Sequence, residues 1–117
     1  MAQSPDLQRV LHIRDYCNAI AATIDRYGKS FDIFDADEDF QRSISFSILQ
    51  IGELSGGLSS EFRTETASRI QWGPMKGMRN LVAHNYGSMS RDIIWETATT
   101  DIPALKVFCD DVLSSAK

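Results

Sequence analysis

The chain has 117 residues, 43% hydrophobic and 24% charged, which fits one globular domain over residues 1–117 with a single core. Its net charge of −4 counts against a dedicated, high-affinity nucleic-acid module, although a nuclease needs only a favourable local field. No apolar run approaches the roughly 20 residues of a membrane helix, and the N-terminus lacks a signal-peptide pattern, so a cytoplasmic protein is expected. Cys17 and Cys109 are too few and too distant in sequence for a disulfide framework or metal knuckle, and read as buried thiols.

Ser4-Pro5-Asp6 opens the first helix, with Ser4 as N-cap, Pro5 at the first helical position and Asp6 favourable to the dipole. Leu7, Val10, Leu11, Cys17, Ile20 and Ile24 give a broad apolar stripe at the helical period, ended by Tyr27-Gly28. His12 lies off that stripe and reads as a surface or structural histidine. Residues 29–36 read as a loop anchored by Phe31 and Phe34, after which Asp35 and Asp37 supply capping acids.

From Asp39 to Leu58, Phe40, Ile44, Ile48, Ile51 and Leu54 recur at three and four residues, with Phe46 and Leu49 on a neighbouring face. A helix with so wide an apolar face is central, or shared between its own bundle and a second subunit. Ser45, Ser47, Gly52, Ser55, Gly56 and Gly57 are small and allow close helix approach. Glu53 reads first as a solvated charge, with pairing to an arginine of the stretch around residues 78–87 as the alternative. Residues 59–70 hold one short helix with Phe62 and Ile70 inward, and residues 71–74 read as a turn with Trp72 as a packing residue.

Met78-Arg79-Asn80-Leu81-Val82-Ala83-His84-Asn85-Tyr86-Gly87 then gathers arginine, asparagine, histidine and tyrosine side chains. At about 100° per residue, Asn80 and His84 share a helix face and Arg79 flanks it. Gly87 reads as the helix stop, which leaves His84 and Tyr86 in or just past the last turn. Donors, acceptors and positive charge at one helix end suit an anion such as a phosphodiester. The plainer reading is a surface helix end whose histidine favours the dipole. Lys76 and Arg91 flank the stretch as candidate phosphate contacts, and binding through such a local basic cleft would be weak and salt-dependent.

Beyond it, Ser90 is a fair N-cap, and Ile93, Ile94, Ile102, Leu105, Phe108 and Val112 carry a final helix that Pro103 should kink or restart. The whole reads as an all-α antiparallel bundle of four to six helices. There is no H-x-x-x-H, C-x-x-C, P-loop or G-x-G-x-x-G, so no metal or cofactor is expected and metal-free acid–base chemistry remains.

Arg79-x-x-x-x-His84-x-Tyr86 resembles the R-x4-H-x-Y pattern of the HepT-like branch of the HEPN superfamily, small all-helical proteins that include ribonuclease toxins. Phe46–Glu53 is similar to that family's helix ending in Ile-Gly-Glu, Trp72–Tyr86 to its central motif, and Ile93–Glu96 to the start of its last helix. The likeness covers Asp39 to Leu105. It implies a symmetric homodimer with two motif copies in one cleft, and an endoribonuclease toxin of a type VII toxin–antitoxin system. It also implies an MntA-like nucleotidyltransferase antitoxin that transfers AMP onto Tyr86.

In that reading His84 is general base or acid, Arg79 stabilises charge growing on the phosphate, and Asn80 orients either partner. For Tyr86 the alternative is an aromatic packed over the helix end. Two other classes stay open. One is a non-catalytic partner subunit of a nucleotidyltransferase, with Arg79 and His84 binding a nucleotide or phosphate. The other is a structural bundle with a solvated motif.

Overall fold

In the computed structural model, which describes residues 4–75, 77, 79 and 91–116, the first helix begins where capping chemistry puts it. Ser4 Oγ accepts the Leu7 N–H at 3.2 Å and Pro5 takes the first position, so α1 runs Pro5–Tyr27. Gly28 ends it at a φ of 110°, a conformation that side chains rarely adopt.

The loop expected over residues 29–36 is instead largely helical: α2 spans Phe31–Ala36 behind an N-cap at Ser30. Six residues are too few to show a period or to hold a helix by propensity, so packing decides, and Phe34 is 0% exposed. Gln41 secures the end of α2 by donating to the Phe34 and Asp35 carbonyls at 2.8 and 3.0 Å. Asp37 then caps α3, Glu38–Gly56, accepting the Phe40 N–H at 3.0 Å. Ser59 caps α4, Ser60–Glu65, and is itself held by Asp6, which accepts its N–H and O–H at 2.8 and 2.6 Å.

The turn expected at 71–74 is helical from Trp72 onward, and residues 72–75, 77 and 79 are all helical. Farther on, α5 (Arg91–Glu96) passes through one π-helical turn, Thr97–Asp101, into α6, Ile102–Ser115. Where Pro103 was expected to kink or restart the helix, the chain stays helical throughout, with the π-helical turn directly before the proline. Proline lacks the N–H that would bond four residues back, and the wider turn before it absorbs the mismatch.

α1 is the central element, packed along α3 on one side and α6 on the other. Asp6 meets Ser59, Tyr16 meets Phe46 and Thr23 meets Ser43, so α1 and α3 run antiparallel. Val10, Ile13, Cys17 and Ile20 of α1 bury against Phe40, Ile44, Ile48 and Ile51 of α3 and Ile102, Leu105 and Phe108 of α6. Phe34, Phe40 and Trp95 close one end, with ring centroids 5.1–5.7 Å apart. Among the described residues there is no strand, and the all-α bundle is as read.

Cys17 and Cys109 are buried free thiols, as expected. Burial pushes both up to about 12; the neighbouring Cys109 adds to the effect on Cys17, and Asp110 to that on Cys109. Such thiols are poor nucleophiles. His12 is exposed, in keeping with a surface role. No helix among the described residues is long and apolar enough to cross a membrane.

Candidate functional site

Trp72 anchors the helical segment that carries Arg79. Its ring is 5% exposed and meets Phe108 and Phe62 at centroid distances of 5.8 and 6.3 Å. Its indole N–H donates to Thr66 Oγ1 at 2.8 Å, so a large side chain is buried without stranding its donor. The packing role read for Trp72 is what the structure shows.

From that anchor the segment crosses the last turns of α3 at very short range. A Cβ built on Gly52 would lie 2.8 Å from Arg79 Cβ, 3.1 Å from its backbone nitrogen and 3.2 Å from its Cα. Two of those three atoms are backbone, so the neighbour cannot swing aside as a flexible side chain would. Gly52 is thus the physical reason that Arg79 sits where it does. The close helix approach expected from the small residues of α3 takes this form.

The next residue supplies the electrostatics. Glu53 Oε2 accepts the Arg79 Nε–H at 2.6 Å, with the two side chains 52% and 45% exposed. Glu53 is therefore not the solvated charge it reads as in sequence; the crossing at Gly52 brings a guanidinium within reach. Half in water, the pair contributes about 1 kcal/mol or less to stability. Its geometric consequence is that the Nε edge of the planar guanidinium rests on the carboxylate.

Around this pair lies an open groove of about 650 Å³, a size that ordinarily takes a small ligand. Besides Glu53 and Arg79, its lining among the described residues is Gly52 and Gly56 of α3, the cap residue Gly57, and Gly73 and Gly77 opposite. A Cβ on Gly73 or Gly77 would meet nothing within 4 Å among the described residues, so their packing does not require glycine there. Two more arginines border the end of α3. Arg63 donates to the Leu58 carbonyl at 2.7 Å, and the Arg9 side chain lies across Gly57, with Nε 2.6 Å from where a Cβ would stand. These cations suit the negative end of a helix dipole.

Of the residues singled out by sequence, the structure places Arg79 in the groove. Arg91 is not among its described lining; its Nε donates to Asp35 Oδ1 at 2.6 Å, tying α5 to α2. Lys76, Asn80, His84 and Tyr86 lie outside the described residues, as do the stop at Gly87 and the cap at Ser90. Sequence reasoning missed Arg9 altogether. Nothing in its local pattern marks it, because it lies 48 positions before the glycine it covers. Among the described residues, no group of three or more His, Cys, Asp or Glu has the arrangement to hold a metal ion.

Comparison with known proteins bears on what such a groove does. The family described as "Ribonuclease HepT-like" matches residues 13–112. A protein of Caldanaerobacter subterraneus subsp. tengcongensis with a provisional RNase name is 33% identical over 106 residues, covering 91% of this chain and 92% of the relative. A protein of Thermococcus cleftensis provisionally named ribonuclease HepT is 29% identical over 98 residues, 80% of this chain and 88% of its own. A third, from Methanocaldococcus jannaschii and also provisionally named an RNase, is 32% identical over 56 residues, about half of each chain. No solved structure matches the chain significantly.

Proposed function

The chain belongs to the HepT-like ribonuclease family, and from that premise we propose that it is a metal-independent endoribonuclease toxin whose reaction centres on Arg79 and His84. The observation that carries the reading is the motif arginine itself, set by Gly52 and oriented by Glu53 at the wall of an open groove.

The chemistry follows from what RNA brings with it. Its 2′-hydroxyl is an internal nucleophile; His84 takes the proton from that oxygen or gives one to the leaving 5′-oxygen. The 2′-oxygen bonds to phosphorus, the P–O5′ bond breaks, and a 2′,3′-cyclic phosphate and a 5′-hydroxyl result. Arg79 stabilises the charge that grows on the non-bridging oxygens, where a fixed guanidinium acts most strongly. Asn80 orients His84 or the phosphate, and Lys76 and Arg91 contact flanking phosphates. DNA, lacking the 2′-hydroxyl, is spared.

One histidine is short of an acid–base pair, and a symmetric homodimer supplies a second motif to the same cleft. Supporting this is Phe46, which is 54% exposed on α3 with Tyr16 edge-on to it at 6.2 Å. Phe46 lies seven residues, about two turns, before Glu53 and so shares its face of α3. An aromatic patch on the face that leads to the site suits an isologous contact. Phe46→Asp is expected to give monomers by light scattering with helical content retained.

The protein acts in a type VII toxin–antitoxin system in the cytoplasm, as one domain over residues 1–117. Its partner is an MntA-like nucleotidyltransferase. That enzyme transfers AMP from ATP onto the Tyr86 hydroxyl, releasing pyrophosphate; added phosphate places negative charge and bulk two residues from His84 and so blocks RNA. The test of the ribonuclease reading is cleavage of mixed cellular RNA in EDTA at low salt, beside His84→Ala. Cleavage by the wild type alone supports it. Absence of cleavage by a dimeric wild type with Tyr86 unmodified would favour a non-catalytic, nucleotide-binding partner of the nucleotidyltransferase.

A further inference from the structure

We propose that Glu53 is a positioning residue for RNA cleavage, acting through Arg79 and resting on the ribonuclease reading above. Its carboxylate fixes the guanidinium in the plane from which the phosphate is met.

Three observations converge on this role. The bond is short and uses Nε, the donor whose engagement restricts rotation of the whole fork: Nε to Oε2 is 2.6 Å. It is built by a feature with its own cost, the glycine at 52, whose missing side chain lets the Arg79 backbone reach the turn from which Glu53 projects. And the pair is half exposed, at 45% and 52%, so its contribution to folding is small. A short, specifically assembled contact with little effect on stability is better explained by what it does to its cation than by holding the fold.

The arrangement has a cost that makes the idea testable. A carboxylate beside an RNA groove repels phosphate, so an ion pair kept there for no other reason would only weaken binding. Positioning offsets this. An arginine loses much rotamer freedom on engaging a phosphate, and one already ordered has less to lose in the transition state. Positioning therefore appears in kcat, whereas the repulsion appears in KM.

Glu53→Ala removes both the orientation and the charge, and Glu53→Gln removes the charge while keeping an acceptor oxygen for Nε–H. The experiment is steady-state cleavage of a fluorescent oligoribonucleotide by the dimer, with Asp111→Ala as control. Asp111 holds a comparably exposed arginine, Arg69, at 3.0 Å on another part of the surface. The expected result is a fall of about 10- to 100-fold in kcat for Glu53→Ala, the loss typical of a slightly misplaced group. Glu53→Gln retains most of kcat and shows a lower KM, and Asp111→Ala behaves as wild type. Thermal midpoints of all three stay within a few degrees, as for exposed pairs generally.

A second readout does not depend on turnover. The 15N–1H resonance of Arg79 Nε, assigned by its loss in Arg79→Lys, is sharp in the wild type and in Glu53→Gln. It broadens by solvent exchange in Glu53→Ala. Wild-type kcat in Glu53→Ala, with the wild type active, overturns the positioning role alone. Equal falls in kcat for Glu53→Ala and Glu53→Gln also overturn it, since orientation would then not be the lever. An inactive wild type overturns the ribonuclease reading and this one with it.

Discussion

Between Phe40 and Ile48, α3 turns a phenylalanine and two isoleucines inward, each at most 1% exposed, against α1 and the aromatic cluster. From Gly52 to its cap at Gly57 the same helix offers three glycines and a carboxylate to a groove. The first region fills space with stiff apolar volume and gains stability from it. The second gives up that volume so that another backbone can approach to contact distance, and it places a charge where the approach delivers a guanidinium. One helix thus serves as core at one end and as a wall of the groove at the other, and the two ends should answer differently to the same kind of change.

The largest effect is expected at the core end. Phe40→Ala empties a fully buried site that stacks on Tyr27 at 4.7 Å and meets Phe34 edge-on. A loss of about 3–5 kcal/mol is expected from denaturant midpoints. Any activity lost should return under conditions that refold the chain.

Gly52→Ala should do the reverse. The added methyl would stand 2.8 Å from Arg79 Cβ, so the segment must shift. Helical content should survive, with a stability loss of about 1–3 kcal/mol. RNA cleavage should fall roughly 100-fold, because a displacement near 1 Å at a reacting centre has that consequence. Equal damage to stability at Gly52 and Phe40, with unchanged specific activity at Gly52, would dissolve the contrast.

A change of pH probes the core end without mutation. Both buried thiols are pushed up to about 12 in the fold, whereas an unfolded thiol titrates near 8.5. Between those values the unfolded chain releases protons that the folded chain keeps. The thiols' contribution is whole below about 8.5 and declines as pH rises toward 12. Guanidinium midpoints measured from pH 8 to 10.5 should fall more steeply for the wild type than for a Cys17→Ala/Cys109→Ala variant.

The smallest effect is expected across the groove. Gly77 is helical and exposed, and a Cβ there meets nothing within 4 Å among the described residues. Gly77→Ala should therefore stabilise by roughly 0.5–1 kcal/mol, read as a small rise in the thermal midpoint. The glycines of the two walls would then differ in kind, one required by packing and the other not.

The fold was largely legible because its determinants are local. The stripes from Leu7 to Ile24 and from Phe40 to Leu54 announce α1 and α3, and Ser4 and Asp37 cap them as read. α2 escaped because six residues show no period and its reason to exist is Phe34's burial, a tertiary fact. At the site, Arg79 was legible through its motif. For Glu53 the sequence leaves a solvated charge and a pairing with this arginine side by side, because the two lie 26 residues apart and meet through a crossing that no local pattern encodes. Arg9 was invisible for the same reason.

The central claim is that the groove beside Arg79 cleaves RNA by way of its own 2′-hydroxyl. The most direct measurement compares an oligoribonucleotide with the same oligomer carrying one 2′-deoxy residue at the mapped cleavage position, both in EDTA. The first should be cleaved, leaving a 2′,3′-cyclic phosphate end, and the bond at the substituted position of the second should stay intact. Cleavage of both at that bond would contradict the claim.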